Sequence, residues 1–287
     1  MVYMLRLLIL SLVFLLPTII VSAAKLDLGL WHTTGSEVWR ITFPTNGASE
    51  LFYPHSGNYI VSRYQNNLSN NNTFAIEAGV NGSIKNATGT DSDWNYSTST
   101  QLWYYGTFQT TGNSYFFNIN WKKSLTANSE FFYGYSYRRN NYHMTTGLYY
   151  IDNYLSNTPP TAMPALASSY DIAYQGPHFG VTGKTKLSSF AALTGSIAFS
   201  PLAFVQGHGW WNLRNLDFLH NGTGQLWDTN IGVSFSPDKF EKLAFTFGFR
   251  CQYNMLYQGT ENTSSSITWT KATNIQKGYY LTSQFKF

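Results

Sequence analysis

The chain has 287 residues, 18% of them aromatic and only 11% charged, with a formal net charge of +4 at pH 7. Soluble proteins carry about 25% charged residues, so a cytosolic enzyme is a poor fit, while so much apolar and aromatic content excludes a disordered chain. A mean hydropathy of −0.22, with no apolar stretch of about 18 residues beyond the N-terminus, argues against a helical membrane protein, and the lack of any Lys/Arg run gives no support to a nucleic-acid partner.

At the N-terminus, Arg6 precedes the apolar run Leu7 to Val21, which ends in Ser22, Ala23 and Ala24. A basic flank, an apolar stretch and small residues at the exit describe a secretory signal cut after Ala23 or Ala24. The expected organisation is a signal peptide over 1–24 and one domain over 25–287. Cys251 is the single cysteine, so an exported domain must stand without an internal disulfide.

From there, period-two alternation recurs almost to the last residue. Phe117, Ile119 and Trp121 alternate with Asn118, Asn120 and Lys122, and Phe131, Tyr133, Tyr135 and Tyr137 follow the same pattern. Phe179 and Val181 face away from His178, Thr182 and Lys184; Ile231, Val233 and Phe235 face away from Asn230 and Ser234. The longest example puts Leu243, Phe245, Phe247, Phe249, Cys251 and Tyr253 on one face and Ala244, Thr246, Gly248, Arg250 and Gln252 on the other. A sandwich would bury aliphatic residues and expose charges. An aromatic face opposite a polar, small-residue face fits a transmembrane barrel with lipid outside and a polar lumen.

Short polar turns are expected near Ser69 to Asn72, Thr126 to Ser129, Ser188 to Ser189 and Pro237 to Glu241. Longer irregular loops are expected at Pro44 to Gly57, Asn86 to Thr100, Gly147 to Ser169, Gly207 to Gln225 and Gln258 to Lys277. Short turns at one end and long loops at the other describe an outer-membrane barrel of about ten antiparallel strands, its long loops at the cell surface. At the C-terminus, Tyr279, Leu281, Phe285 and Phe287 share one face. The fold class is therefore all-β, a closed barrel too narrow for a wide pore.

The segments resemble the omptins, ten-stranded outer-membrane proteases, along the whole mature chain. The resemblance rests on the order of strands and loops and on Gly89-Thr90-Asp91-Ser92-Asp93-Trp94, Gly134-Tyr135-Ser136-Tyr137-Arg138-Arg139, Pro177-His178-Phe179-Gly180-Val181-Thr182-Gly183 and the closing Gln284-Phe285-Lys286-Phe287. It implies a groove at the outer end where Asp91 and Asp93 form the first of two acidic couples that activate water for peptide cleavage. In an extended segment, residues two apart point the same way, and crowded carboxylates raise each other's proton affinity. The alternative for Asp-Ser-Asp is a solvated loop that orders its own turn.

The family's second couple is an Asp-x-His on the seventh strand, and the ungapped count from Phe199-Ser200 puts Gly209 and Trp211 there. His208 lies one residue away, on the opposite face unless a bulge intervenes. Asp217 and His220 would form a couple of their own if a turn brought them together. For both histidines the alternative is a loop side chain bonded to backbone or water. The resemblance further implies lipopolysaccharide as an activating lipid, with Tyr135 and Arg139 on the outward face near the lipid phosphates. The alternative is an interfacial arginine with no specific lipid. Gly209-Trp210-Trp211 is either a stacking platform or part of an aromatic girdle.

Two functions follow: an aspartate-activated-water endopeptidase acting on a peptide or protein substrate, or a non-catalytic barrel serving as adhesin, ligand-binding or structural protein. Either is expected as a monomer, with outer-membrane lipid as neighbour and no metal or cofactor.

Overall fold

The computed structural model describes residues 24–44, 47–69, 71–96, 102–154, 160–237, 242–264 and 266–287; the expected signal run lies outside them. Ten strands follow one another: β1 (Ala24–Phe43), β2 (Gly47–Ser69), β3 (Asn72–Asn95), β4 (Leu102–Thr126), β5 (Ser129–Asp152), β6 (Thr161–Lys186), β7 (Ala191–Trp211), β8 (Leu216–Phe235), β9 (Leu243–Glu261) and β10 (Thr268–Lys286). Each pairs antiparallel with its neighbour in sequence, and β10 closes on β1 with Leu30 opposite Leu281. Closure leaves no free edge.

The lower end carries both strand termini and the tight connections at Ser69/Asn72 and Thr126/Ser129. At the upper end, the expected long loops are largely strand. β3 runs through Asn86 to Asn95, β5 and β6 take up most of Gly147 to Ser169, and β7 and β8 meet across a single 3-10 turn, Asn212–Arg214. The expectation of irregular loops failed because these stretches are polar outside, where the strands meet water, yet their ladders continue: Asp91 is opposite Gly106, and His208 opposite Leu219. A strand of 24 residues such as β3 climbs about 60 Å when tilted by about 40°, roughly twice a bilayer's hydrocarbon thickness.

The apolar face changes sides on the way up. On β6 the lower residues Phe179 and Val181 are exposed, whereas the upper residues Tyr170, Ile172 and Tyr174 are fully buried inside. On β5, Tyr133 and Tyr135 point out and Tyr142 and Met144 point in. On these two strands odd positions carry the apolar residues below and even positions above, so a straight strand serves a greasy exterior and then a greasy interior. The lower band also exposes Ile231, Phe247, Tyr279 and Leu281.

The interior is filled to match. In the lower half, Arg250 forks onto Glu77 through two 3.0 Å bonds and onto Asp228 at 3.0 and 2.7 Å, and Arg138 reaches the same Asp228 at 3.1 Å. Charges this deep persist because each is paired and bonded. Higher up lies an aromatic core in which Tyr53 stacks on Tyr142 at 4.7 Å, and Trp39 packs on Tyr170 at 5.1 Å.

Candidate functional site at the upper rim

Asp91 and Asp93 stand two apart on β3, so both point inward, each only 8% exposed. They lie on a strand rather than in a solvated turn. Asp93 sits between Ser49 of β2 and Tyr104 of β4, and it accepts hydrogen bonds from Ser49 and from Tyr154, just beyond β5. Asp91 lies opposite Leu51 and Gly106, and its Oδ1 is buried without a partner. Arg214, at the end of the 3-10 turn, brings its guanidinium 5.8 Å from the Tyr154 ring centroid.

Burial, then the charge of Asp93, lifts the Asp91 carboxyl well above the usual range, against the pull of Arg214. Burial also raises Asp93, opposed by Ser49, Arg214 and Tyr154. The Tyr154 phenol is pushed up to about 12, by burial first and then by Asp93. Two crowded, desolvated carboxyls retain a proton that free ones would release, which is the property needed for one to act as acid while the other acts as base.

His220 lies in a separate cluster. Its Nδ1 is 3.0 Å from the Tyr170 hydroxyl and its Nε2 is 2.9 Å from Glu261 Oε2. The ring stacks on Trp269 at 4.8 Å and meets the edge of Trp39 at 5.2 Å. Burial lowers its pKa despite Glu261. A carboxylate only accepts, so the neutral ring donates from Nε2 to Glu261 and accepts the Tyr170 hydroxyl at Nδ1. Burial alone would raise Glu261, but its bonds from His220 and Thr263 bring it below the usual value.

The expected Asp217/His220 couple does not exist. No turn separates the two; β8 has already begun at Leu216, so residues three apart point to opposite faces. His220 is inside, whereas Asp217 is outside, where its Oδ1 lies 2.7 Å from His208 Nε2. His208 faces out as alternation requires, since the bulge on β7 falls earlier, between Ser200 and Ala203. It therefore does not join Asp91 and Asp93. Trp211 packs against the aromatic core from the rim, so it is not a girdle residue.

The outward pair keeps its expected face. Arg139 Nη2 is 3.0 Å from Asp171 Oδ2 and its Nε is 3.1 Å from Asn141, while the Tyr135 hydroxyl donates to Gln175 at 3.2 Å. Asp171 neutralises the arginine within the barrel wall. Sequence reasoning missed Glu261, Tyr170, Tyr154 and Arg214; the inward parity of the upper strands marks the first two, whereas Tyr154 and Arg214 lie in connections. Among the described residues, no group of three or more histidine, cysteine or carboxylate side chains could hold a metal ion.

No protein-family model matches the chain, and no curated protein sequence matches it. Among solved structures, it is similar to the outer membrane protease OmpT from Escherichia coli, with a TM-score of 0.72 and 14% identity over 93% of this chain and 97% of that one. Weaker likenesses include the Pseudomonas putida toluene transporter TodX, with a TM-score of 0.36 and 9% identity over 92% and 89% of the two chains. A Pseudomonas aeruginosa FadL homologue gives a TM-score of 0.33 and 9% identity over 92% and 90%. At such identity the likeness to OmpT is one of fold: the chain has the architecture of an outer-membrane barrel.

Proposed function

We propose that the protein is an outer-membrane barrel with a filled interior that acts at the cell surface as a binding or structural component, without histidine-assisted peptide cleavage. The reading is carried by the histidines. Of six in the chain, His32, His143 and His208 point outward. The other three are buried with both ring nitrogens occupied: His55 by Tyr142 and Ser114, His178 by Ser136 and Asn120, and His220 by Tyr170 and Glu261. A general base needs a free lone pair within reach of its proton, and no imidazole offers one to the Asp91/Asp93 pair. Arg214, a cation that cannot accept a proton, influences the pair instead.

On this reading the chain is exported behind the leader 1–24 and the lower apolar band lies in lipid. The upper rim then stands outside the cell, and Tyr135 and Arg139 sit near the outer lipid headgroups, lipopolysaccharide among them. Beneath the rim, Asp91 Oδ1 stays an acceptor without a partner.

The same orphan oxygen favours one second reading, in which Asp91 and Asp93 activate water by themselves as a carboxyl pair sharing a proton. Refolded protein incubated with a fluorogenic peptide and lipopolysaccharide, beside Asp93→Ala, separates the two. The binding reading expects no cleavage by either protein. Cleavage by the wild type that Asp93→Ala abolishes would overturn it in favour of the carboxyl pair.

A further inference from the structure

The lower end of the lumen holds a cavity of about 440 Å³, within the range of small-molecule sites. Thr126, Asn128 and Ser129 of the β4–β5 turn help to line it, so it opens at the end that carries the termini. Its inner wall includes Arg250, Glu77, Trp31 and Tyr280, and Arg250 is locked onto Glu77 and Asp228, its guanidinium 5.2 Å from the Trp31 ring centroid.

The charges around this space do not balance. Five cationic side chains line it against three carboxylates. All three carboxylates are engaged: Glu77 by Arg250, Glu130 by Lys122 and Thr182, and Asp27 by the amides of Gln65 and Gln284. Among the cations, Arg250 is saturated and Lys122 reaches Glu130 at 3.4 Å. Arg63 stands opposite Asp27 on β1 and Glu77 on β3, yet these carboxylates are bonded elsewhere, and Arg63, Lys25 and Lys184 form no ion pair within 4 Å or side-chain hydrogen bond among the described residues. Alternation explains why they face the lumen: Val61, Arg63 and Gln65 share the inward face of β2, as His178, Thr182 and Lys184 share that of β6, with Lys184 exposed at the mouth. Unpaired like charges in a cavity of restricted dielectric repel one another and attract an anion more strongly than they would in bulk water. Hydroxyls and amides of Ser196, Asn230, Thr246 and Thr282 supply neutral donors to the remaining oxygens.

We infer that this cavity is a binding site for a small dissolved multivalent anion bearing phosphate or carboxylate groups, entering from the periplasmic side. A planar guanidinium at Arg63 suits the paired oxygens of either group. Lys25 and Lys184 near the mouth act as point charges that draw the anion in. The inference is independent of what the upper rim does.

Calorimetric titration of the full refolded barrel in uncharged detergent micelles tests it, with inorganic pyrophosphate and citrate as separate probes. Saturable binding of at least one is expected, weakening as salt is raised; the preferred probe distinguishes phosphate from carboxylate chemistry. Arg63→Gln and Lys184→Gln should each weaken it by roughly tenfold or more, while Lys277→Gln, at an exposed outward position of β10, leaves it unchanged. Gel mobility with and without heating verifies that each variant is folded, and Lys184→Gln, near the mouth, provides the test should Arg63→Gln not fold. Absence of saturable binding of both probes at millimolar concentration overturns the site, as does binding that the folded inward variants leave intact.

Discussion

Phe218 occupies the space that a side chain at Gly209 would need: a Cβ built on Gly209 would lie 2.0 Å from the ring carbon Cζ of Phe218. The two residues are opposite one another on β8 and β7, and the ring packs against Trp39, Tyr170 and His220. Gly209 is therefore the only residue type that lets this aromatic cluster close. It is also the position at which the omptin resemblance asks for an acid.

Restoring that acid should not restore a protease. The double substitution Gly209→Asp with Trp211→His is expected to leave a fluorogenic peptide uncut and to lower stability by about 1–3 kcal/mol, the usual cost of forcing atoms into a packed core. The measurements are peptide cleavage and urea unfolding followed by tryptophan fluorescence. Efficient cleavage would mean that Phe218 moves aside readily.

Removing His220 should act on stability. His220→Ala leaves a cavity beside Trp269 and takes from the Glu261 carboxylate the donor it meets at 2.9 Å. Breaking a buried pair from one side costs about 3–5 kcal/mol. The imidazole is held neutral in the folded barrel by burial, whereas in the unfolded chain it takes up a proton below about pH 6.5. Stability should thus fall as the pH drops below that value, and His220→Gln should flatten this part of the profile.

The Asp91/Asp93 pair has the opposite sign. Its carboxyls titrate higher in the folded state than in the unfolded chain, so the folded barrel binds more protons above about pH 4. Stability is lost as pH rises from there through the folded values. Asp91→Asn should remove much of that slope, and Arg214→Ala should push both carboxyls higher still, since Arg214 lowers them. Carboxyl carbon resonances of isotopically labelled protein, titrated from pH 3 to 9, read both effects.

In the lower lumen, Asp228 is shared by Arg138 and Arg250. Asp228→Asn keeps the shape but leaves the two guanidinium groups with Glu77 as the nearest carboxylate. The expected loss is about 3–5 kcal/mol, read as a lower temperature for loss of the compact, fast-migrating band on gels. No loss would mean that Glu77 and the neighbouring amides suffice.

Much of this architecture was legible because alternation is a local property. Leu243 to Tyr253 states which residues meet the exterior and which the lumen, and the barrel keeps that assignment: Phe247 is exposed and Gln252 buried. The upper strands were read as loops for a physical reason. Above the lower band the outer face meets water, so the greasy outward stripe ends at residues such as Tyr137 and Phe179, and the apolar residues resume on the inward face at Tyr142 and Tyr174.

The sequence by itself determined the class of fold and the outward face of Arg139, because each depends only on the parity of a strand; that β3 continues through Asp91 and Asp93 and turns both inward was decided by the tertiary structure. Tertiary structure alone decided what those residues meet. Whether Asp217 joins His220 or His208 depends on where β8 begins, and the choice of Glu261 as partner of His220 depends on the register of β8 against β9. These are contacts between segments far apart in the chain, set by closure of the barrel and packing of its core, and no local pattern encodes them.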